Sequence, residues 1–132
     1  MSGNNKIALE YKELSYELVG ILFEVYNELG YGYKEIYYEK AIKQCLDEKK
    51  IRYKEQAPFI LSFHGKVIGR FYLDFLIENK IILEIKKGNY FSKRNIQQIN
   101  EYLKTTKLRL AILANFTPSG VKFKRIVNIV KN

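Results

Sequence analysis

The run "FYLDFLIENKIILEIKK", Phe71 to Lys87, constrains the fold more than any other segment. Two apolar stretches flank the polar turn Glu78-Asn79-Lys80, which is the pattern of a β-hairpin. The second stretch is apolar on both sides of Glu84, so it reads as a central strand of a covered sheet. Yet Asp74 interrupts the first stretch, and Glu84 and Lys86 the second, where Val or Ile would serve a buried strand better.

Alternation along a strand places Phe71, Leu73, Phe75 and Ile77 on one side, and Tyr72, Asp74 and Leu76 on the other. Glu84 and Lys86 share a face with Ile82. With the turn centred on Asn79, Asp74 lies opposite Glu84 at a Cβ separation of about 5 Å. Two opposed, half-desolvated carboxylates repel unless a cation or a proton intervenes. A salt-bridge cluster with Lys86 on a solvated face is the plainer alternative, and for an isolated set of this kind it is the commoner one. In a central strand unpaired charge costs more, and the set points to a site. Carboxylates from adjacent strands, a main-chain carbonyl and waters suit a hard divalent cation, Mg²⁺ or Mn²⁺. Lys86 would stand beside the water or the phosphate there.

Around this hairpin the periodicity predicts the remaining elements. Leu18, Ile21, Leu22, Val25 and Leu29 recur at helical spacing from Ser15 to Leu29, ahead of Gly30 and Gly32. A second helix is expected from Glu35 to about Lys49, with Tyr38, Ala41, Ile42 and Cys45 along one arc. Strands follow at Arg52–Phe63 and Val67–Ile77, joined by the turn His64-Gly65-Lys66, and at Ile81–Lys86. Asn95 to Thr106 is helical through Ile96, Ile99 and Leu103, "LRLAILANF" is an interior strand, and Val121–Val130 is a last short strand. The fold class is therefore α/β, a mixed sheet with helices covering it in the order α-α-β-β-β-α-β-β.

Glu35 projects into the arc of Tyr38, Ile42 and Cys45, toward the interior; an acidic residue favouring the helix dipole is an equal alternative. Gln98 and Tyr102, four apart, share one side of the later helix.

A chain of 132 residues with 47% hydrophobic content suffices for one domain, expected over 11–132 behind an N-terminal tail, 1–10. No apolar run is long enough to span a bilayer and the N-terminus lacks a secretory segment, so a cytoplasmic location and no membrane partner are expected. Net charge is +9, from 23 Lys and Arg against 14 Asp and Glu, which favours a polyanionic partner but also fits a merely solvated basic surface. Cys45 is the single cysteine and reads as packing; His64, the single histidine, reads as a turn residue, which excludes histidine-rich zinc sites. Phosphate-binding loops of the Walker type and G-x-S-x-G elbows are absent.

"GYKEIYYE", Gly32 to Glu39, fits a GxxExxY signature. With Asp74, Glu84-Ile85-Lys86, "QINEYLKTT" and "LAILANF…FKRIVN", it resembles the GxxExxY protein family of the PD-(D/E)XK nuclease superfamily, from about Tyr11 to Asn128. The resemblance implies a restriction-endonuclease-like core. Asp74, Glu84 and Lys86 would be its D and (D/E)XK positions, Glu35 the helical acid, and Gln98 the glutamine on the helix after the core hairpin. Leu73 stands where the superfamily name has Pro, and Tyr26 where relatives often show His. The implied function is Mg²⁺-dependent (or Mn²⁺-dependent) phosphodiester hydrolysis of nucleic acid, DNA first. Asp74 and Glu84 would hold the metal, and Glu35 a second ion or a water. The alternative is a nucleic-acid-binding or interaction module on the same fold with little or no turnover; a homodimer is left open.

Overall fold

The computed structural model describes residues 11–128. Eight elements follow in order: α1 (Lys12–Leu29), α2 (Glu35–Glu48), β1 (Tyr53–Phe63), β2 (Lys66–Ile77), β3 (Ile81–Lys87), α3 (Lys93–Thr106), β4 (Leu110–Thr117) and β5 (Gly120–Val127). The strands form one five-stranded sheet in chain order β1-β2-β3-β4-β5. Only β3 and β4 run parallel, and the crossover that a parallel pair requires is α3.

Helices cover both faces of the sheet. Leu18, Ile21 and Leu22 of α1 and Tyr38, Ile42 and Leu46 of α2 pack on Ile81, Leu83, Ile85, Ile112 and Phe116. On the opposite face Ile99, Tyr102 and Leu103 of α3 pack on Ile82, Ala111 and Leu113. This double cover is why β3 and β4 read as nearly unbroken apolar runs.

The hairpin turn is as the sequence predicts. Glu78 and Asn79 have φ of 50° and 56°, and the Lys80 N–H donates to Ile77 O at 2.8 Å, the pattern of a type I′ turn. Arg52 Nε lies 2.9 Å from Glu78 Oε1 and braces it.

The side-chain alternation of β2 differs from the expectation. Phe71 and Leu73 pack on the α3 side, whereas Phe75 and Ile77 belong to the α1–α2 side. The switch falls at Asp74. Across from it Gln56 has a φ of 46°, and the register runs Glu55↔Phe75 then Ala57↔Leu73 without a Gln56↔Asp74 pair. One left-handed residue breaks the period of two, so both strands present opposite faces before and after this point.

The last strand is described to Val127, and the expected residues 129 and 130 lie outside the described residues; at Asn128 the backbone N–H still donates to Arg109 O at 2.8 Å while the side chain caps α3. Its Nδ2 donates to Leu103 O at 3.0 Å and to Leu108 O at 2.9 Å. Residues 129–132 and the expected tail, 1–10, lie outside the described residues.

Candidate metal centre

The ladder between β2 and β3 has three pairs, Ile77↔Ile81, Leu76↔Ile82 and Phe75↔Leu83, and stops there. The next step would be Asp74 against Glu84, as the sequence predicts. Instead the strands part, β2 continuing beside β1 and β3 beside β4. Parting frees two backbone donors, and the two carboxylates take them: the Asp74 N–H donates to Glu84 Oε1 at 2.8 Å, and the Ile85 N–H to Asp74 Oδ2 at 2.9 Å. One oxygen of each carboxylate is thereby fixed. The other, Asp74 Oδ1 or Glu84 Oε2, takes no backbone hydrogen bond among the described residues, and the two carboxyls also meet side chain to side chain, which raises Glu84 further.

Glu84 is 2% exposed and Asp74 half-buried. Burial pushes the Glu84 carboxyl upward, and the charge of Asp74 adds to this; the Asp74 N–H and Lys86 act in the opposite sense. Glu35, at the exposed N-terminus of α2, is also raised, by desolvation first, with Lys86 opposing and Asp74 reinforcing. The sequence leaves Glu35 equally an interior-leaning acid or one that favours the helix dipole; the structure has it exposed in the first turn of α2, within electrostatic reach of Lys86 and Asp74.

Sequence reasoning missed Glu39. It lies one turn beyond Glu35 on the same face of α2 and is pushed up to about 7, by desolvation first and then by Asp74, Glu35 and Glu55. The i, i+4 spacing of the two glutamates was the available signal. Tyr102 of α3 is 8% exposed and stacks on Phe71, centroids 4.5 Å apart. Its hydroxyl is pushed up to about 12 by burial, then by Glu84 and Asp74, which puts the α3 side of the site within reach of both carboxylates. Gln98, one turn before Tyr102, is half-buried and makes no side-chain hydrogen bond among the described residues. Asn115, paired with Lys86 across β3–β4, is 1% exposed, with Nδ2 donating to Gly88 O at 3.5 Å and a buried Oδ1 left without a partner.

The charge of Asp74 thus acts on Glu35, Glu39, Glu84 and Tyr102, and that of Lys86 on the three glutamates, groups drawn from both layers of helices and two strands. The site is an open seam. A surface groove of about 620 Å³ beside Phe71 and Lys104 is lined by other residues. Among the described residues no three His, Cys, Asp or Glu side chains form a ready-made metal cage. The donors present are hard oxygens, two of them on adjacent strands. They fit a cation that keeps several waters and takes one or two carboxylates, as Mg²⁺ does, better than one that demands a complete protein cage.

Residues 12–126 match the model of the PD-(D/E)XK nuclease superfamily. The chain belongs to that superfamily. The sequence reading sets the letters of the PD-(D/E)XK name against Asp74 and Glu84-Ile85-Lys86, with Leu73 in place of Pro. Leu73 is fully buried against the α3 side, so an apolar residue there serves packing. Tyr26 donates its hydroxyl to Thr117 O at 2.8 Å and stacks on Phe116. The crystal structure of SSO0001 is similar in fold, with a TM-score of 0.58 at 18% identity over 96% of this chain. The chain spans 62% of the length of that protein. Among curated proteins none matches the chain. No described helix is long and apolar enough to cross a membrane.

Proposed function

We propose that this PD-(D/E)XK protein is a Mg²⁺-dependent (or Mn²⁺-dependent) nuclease that hydrolyses phosphodiesters of nucleic acid, with DNA as the substrate, and that it is of the GxxExxY type. One observation carries the reading. A nearly fully buried glutamate shares the parting of β2 and β3 with an aspartate, and a lysine follows it on the same strand. Sheet stability alone does not account for that: two apolar residues would close the ladder and avoid the repulsion that raises Glu84.

Asp74 and Glu84 would hold the ion, with Glu35 and Glu39 of α2 near enough to be influenced by Asp74 and to take a second ion or a water. When bound, Mg²⁺ would offset negative charge on the phosphate and lower the pKa of a water. The chain's own part is orientation and charge. The Asp74 and Ile85 N–H groups lock the carboxylates, Lys86 offsets the negative charge that builds on the phosphate as water attacks phosphorus and an ester oxygen leaves, and Gln98 orients the water or the phosphate. The basic surface, net +9, favours the polyanion. The GxxExxY assignment rests on Gly32, with φ 117°, on Glu35, and on the buried Tyr38, whose hydroxyl donates to Gly30 O. The protein acts in the cytoplasm.

A metal-dependent assay on plasmid, linear duplex and single-stranded substrates tests the reading. Cleavage in Mg²⁺ or Mn²⁺ that chelator stops is expected. Binding of nucleic acid in Mg²⁺ or Mn²⁺ without cleavage of any of the three identifies a binding module instead.

A further inference from the structure

The connection between α1 and α2 reads Gly30-Tyr31-Gly32-Tyr33-Lys34. Gly30 and Gly32 have φ of 68° and 117°, and a Cβ at either would meet nothing within 4 Å, so glycine serves the backbone conformation and not close packing. From below, the core holds this loop in place. The buried ring of Tyr38 stacks on Phe116, centroids 4.2 Å apart. Its hydroxyl donates to Gly30 O at 2.7 Å and accepts from the Tyr33 N–H at 3.4 Å.

The loop is pinned, yet the rings beside it remain in solvent. Tyr31, Tyr33 and Tyr37 are 39%, 47% and 50% exposed. Tyr33 stands edge-on to both Tyr37 and Tyr38, with centroids 6.3 Å from each. Lys87 Nζ lies 5.4 Å from the Tyr31 ring centroid, and the same lysine acts on Glu35. Tyr31 therefore borders the seam that holds the carboxylates. Tyr33 and Tyr37 line a groove of about 500 Å³ with Lys40 and Gln44.

Rings held rigid and half in water gain little for folding, whereas they lose little entropy when something flat is laid on them. Aromatic faces with lysines beside them match one chemistry closely: bases stack on the rings while phosphates meet the ammonium groups. A closed duplex keeps its bases stacked inside and offers no face to these rings. We propose that the tyrosine loop is a stacking platform for unpaired nucleotides, so that the substrate carries a single-stranded segment beside the phosphodiester to be cut. The cutting half of this statement rests on the nuclease reading; the binding half does not.

Fluorescence anisotropy in Ca²⁺ separates the two, using a single strand of about twelve nucleotides, a blunt duplex, and that duplex with a single-stranded tail. The single strand and the tailed duplex should bind at least about tenfold more tightly than the blunt duplex. Tyr31→Ala with Tyr37→Ala should erase that margin while blunt-duplex affinity stays within about twofold. Tyr31→Phe with Tyr37→Phe keeps the ring faces and should keep the margin. Melting temperatures establish that each variant is folded, and Tyr37→Ala alone, at a half-exposed ring, gives the same readout if the double variant is not.

A margin that survives ring removal overturns the platform, as does a wild type that prefers blunt duplex. Ring removal that converts a dimer to a monomer in sedimentation, with affinity unchanged, overturns it in favour of a second copy of the chain. A ring-dependent margin in a protein that cuts nothing in Mg²⁺ upholds the platform and removes the nuclease. Cleavage in Mg²⁺ with no ring-dependent margin does the reverse.

Discussion

Glu84 and Glu39 bind a proton more tightly in the folded chain than their ordinary value of 4.5 implies, both because desolvation penalises the charged form and because Asp74 is near. The sign of the linkage follows. Between about pH 4.5 and the raised values the folded state holds more protons than the unfolded one, so metal-free stability is fully present below that window and falls as pH rises through it. Glu78, lowered by Arg52, works the other way, but its window closes below 4.5. Urea denaturation in chelator at about pH 5 and about pH 8 should find the wild type weaker at the higher pH, with Glu84→Gln and Glu39→Gln each narrowing the difference. Equal stability at both pH values would mean that the carboxylates titrate ordinarily. Lys86 answers a different measurement. If it offsets charge in the transition state, Lys86→Ala should lower cleavage by about 10² or more, roughly 3 kcal/mol of barrier, and leave the metal-induced rise in melting temperature intact. A variant that cuts normally but binds nucleic acid less tightly, with a salt slope about one unit shallower, would make Lys86 a phosphate contact only.

At the scale of elements, α3 carries part of the site, and its two ends show how local chemistry sets its bounds. Ser92 Oγ accepts from the Asn95 N–H at 3.0 Å and caps the first turn. Ser92→Ala should cost about 1 kcal/mol in urea denaturation. The other end is closed by Lys107 in the left-handed region, φ 62° and ψ 15°, where a Cβ is a liability. Lys107→Gly should therefore stabilise the chain by about 0.5–1 kcal/mol, the relief of strain outweighing the greater freedom of glycine in the unfolded chain. A loss of stability would show that the lysine stem contributes more than its backbone costs. The elements themselves were legible because each has the period of its type: Ile96, Ile99 and Leu103 mark α3, and the double cover of β4 makes it continuously apolar from Leu110 to Ala114. The reversal of faces in β1 and β2 was not legible. It turns on Gln56 at φ 46°, and glutamine carries no sequence mark for a left-handed backbone as glycine or asparagine does.

At the scale of the molecule, the sequence located Asp74 opposite Glu84 because the turn fixes the register, yet it could not show that the ladder ends one pair earlier and that the side chains replace it. That parting is a tertiary matter: β2 stays with β1, β3 stays with β4, and the seam opens between two sub-sheets that the packed helices hold. A cation in the seam would tie the sub-sheets together through Asp74 on one and Glu84 on the other, so metal binding should register as stability of the whole fold. An ion that binds only the folded state adds about 2.7 kcal/mol at a hundredfold excess over its Kd, which for a chain of this size is a rise of roughly 10 °C in Tm. Mn²⁺ or Ca²⁺ should produce a rise of that kind in the wild type. Asp74→Asn should abolish it, because the amide keeps an acceptor for the Ile85 N–H but gives up the charge that draws the ion. Its metal-free Tm should equal or exceed that of the wild type, since the repulsion that raises Glu84 is gone. The two halves of this result are independent. A variant that is destabilised without metal would mean that Asp74 serves chiefly to hold β3, whereas an undiminished metal response would place the ion elsewhere, on Glu35 and Glu39 of α2.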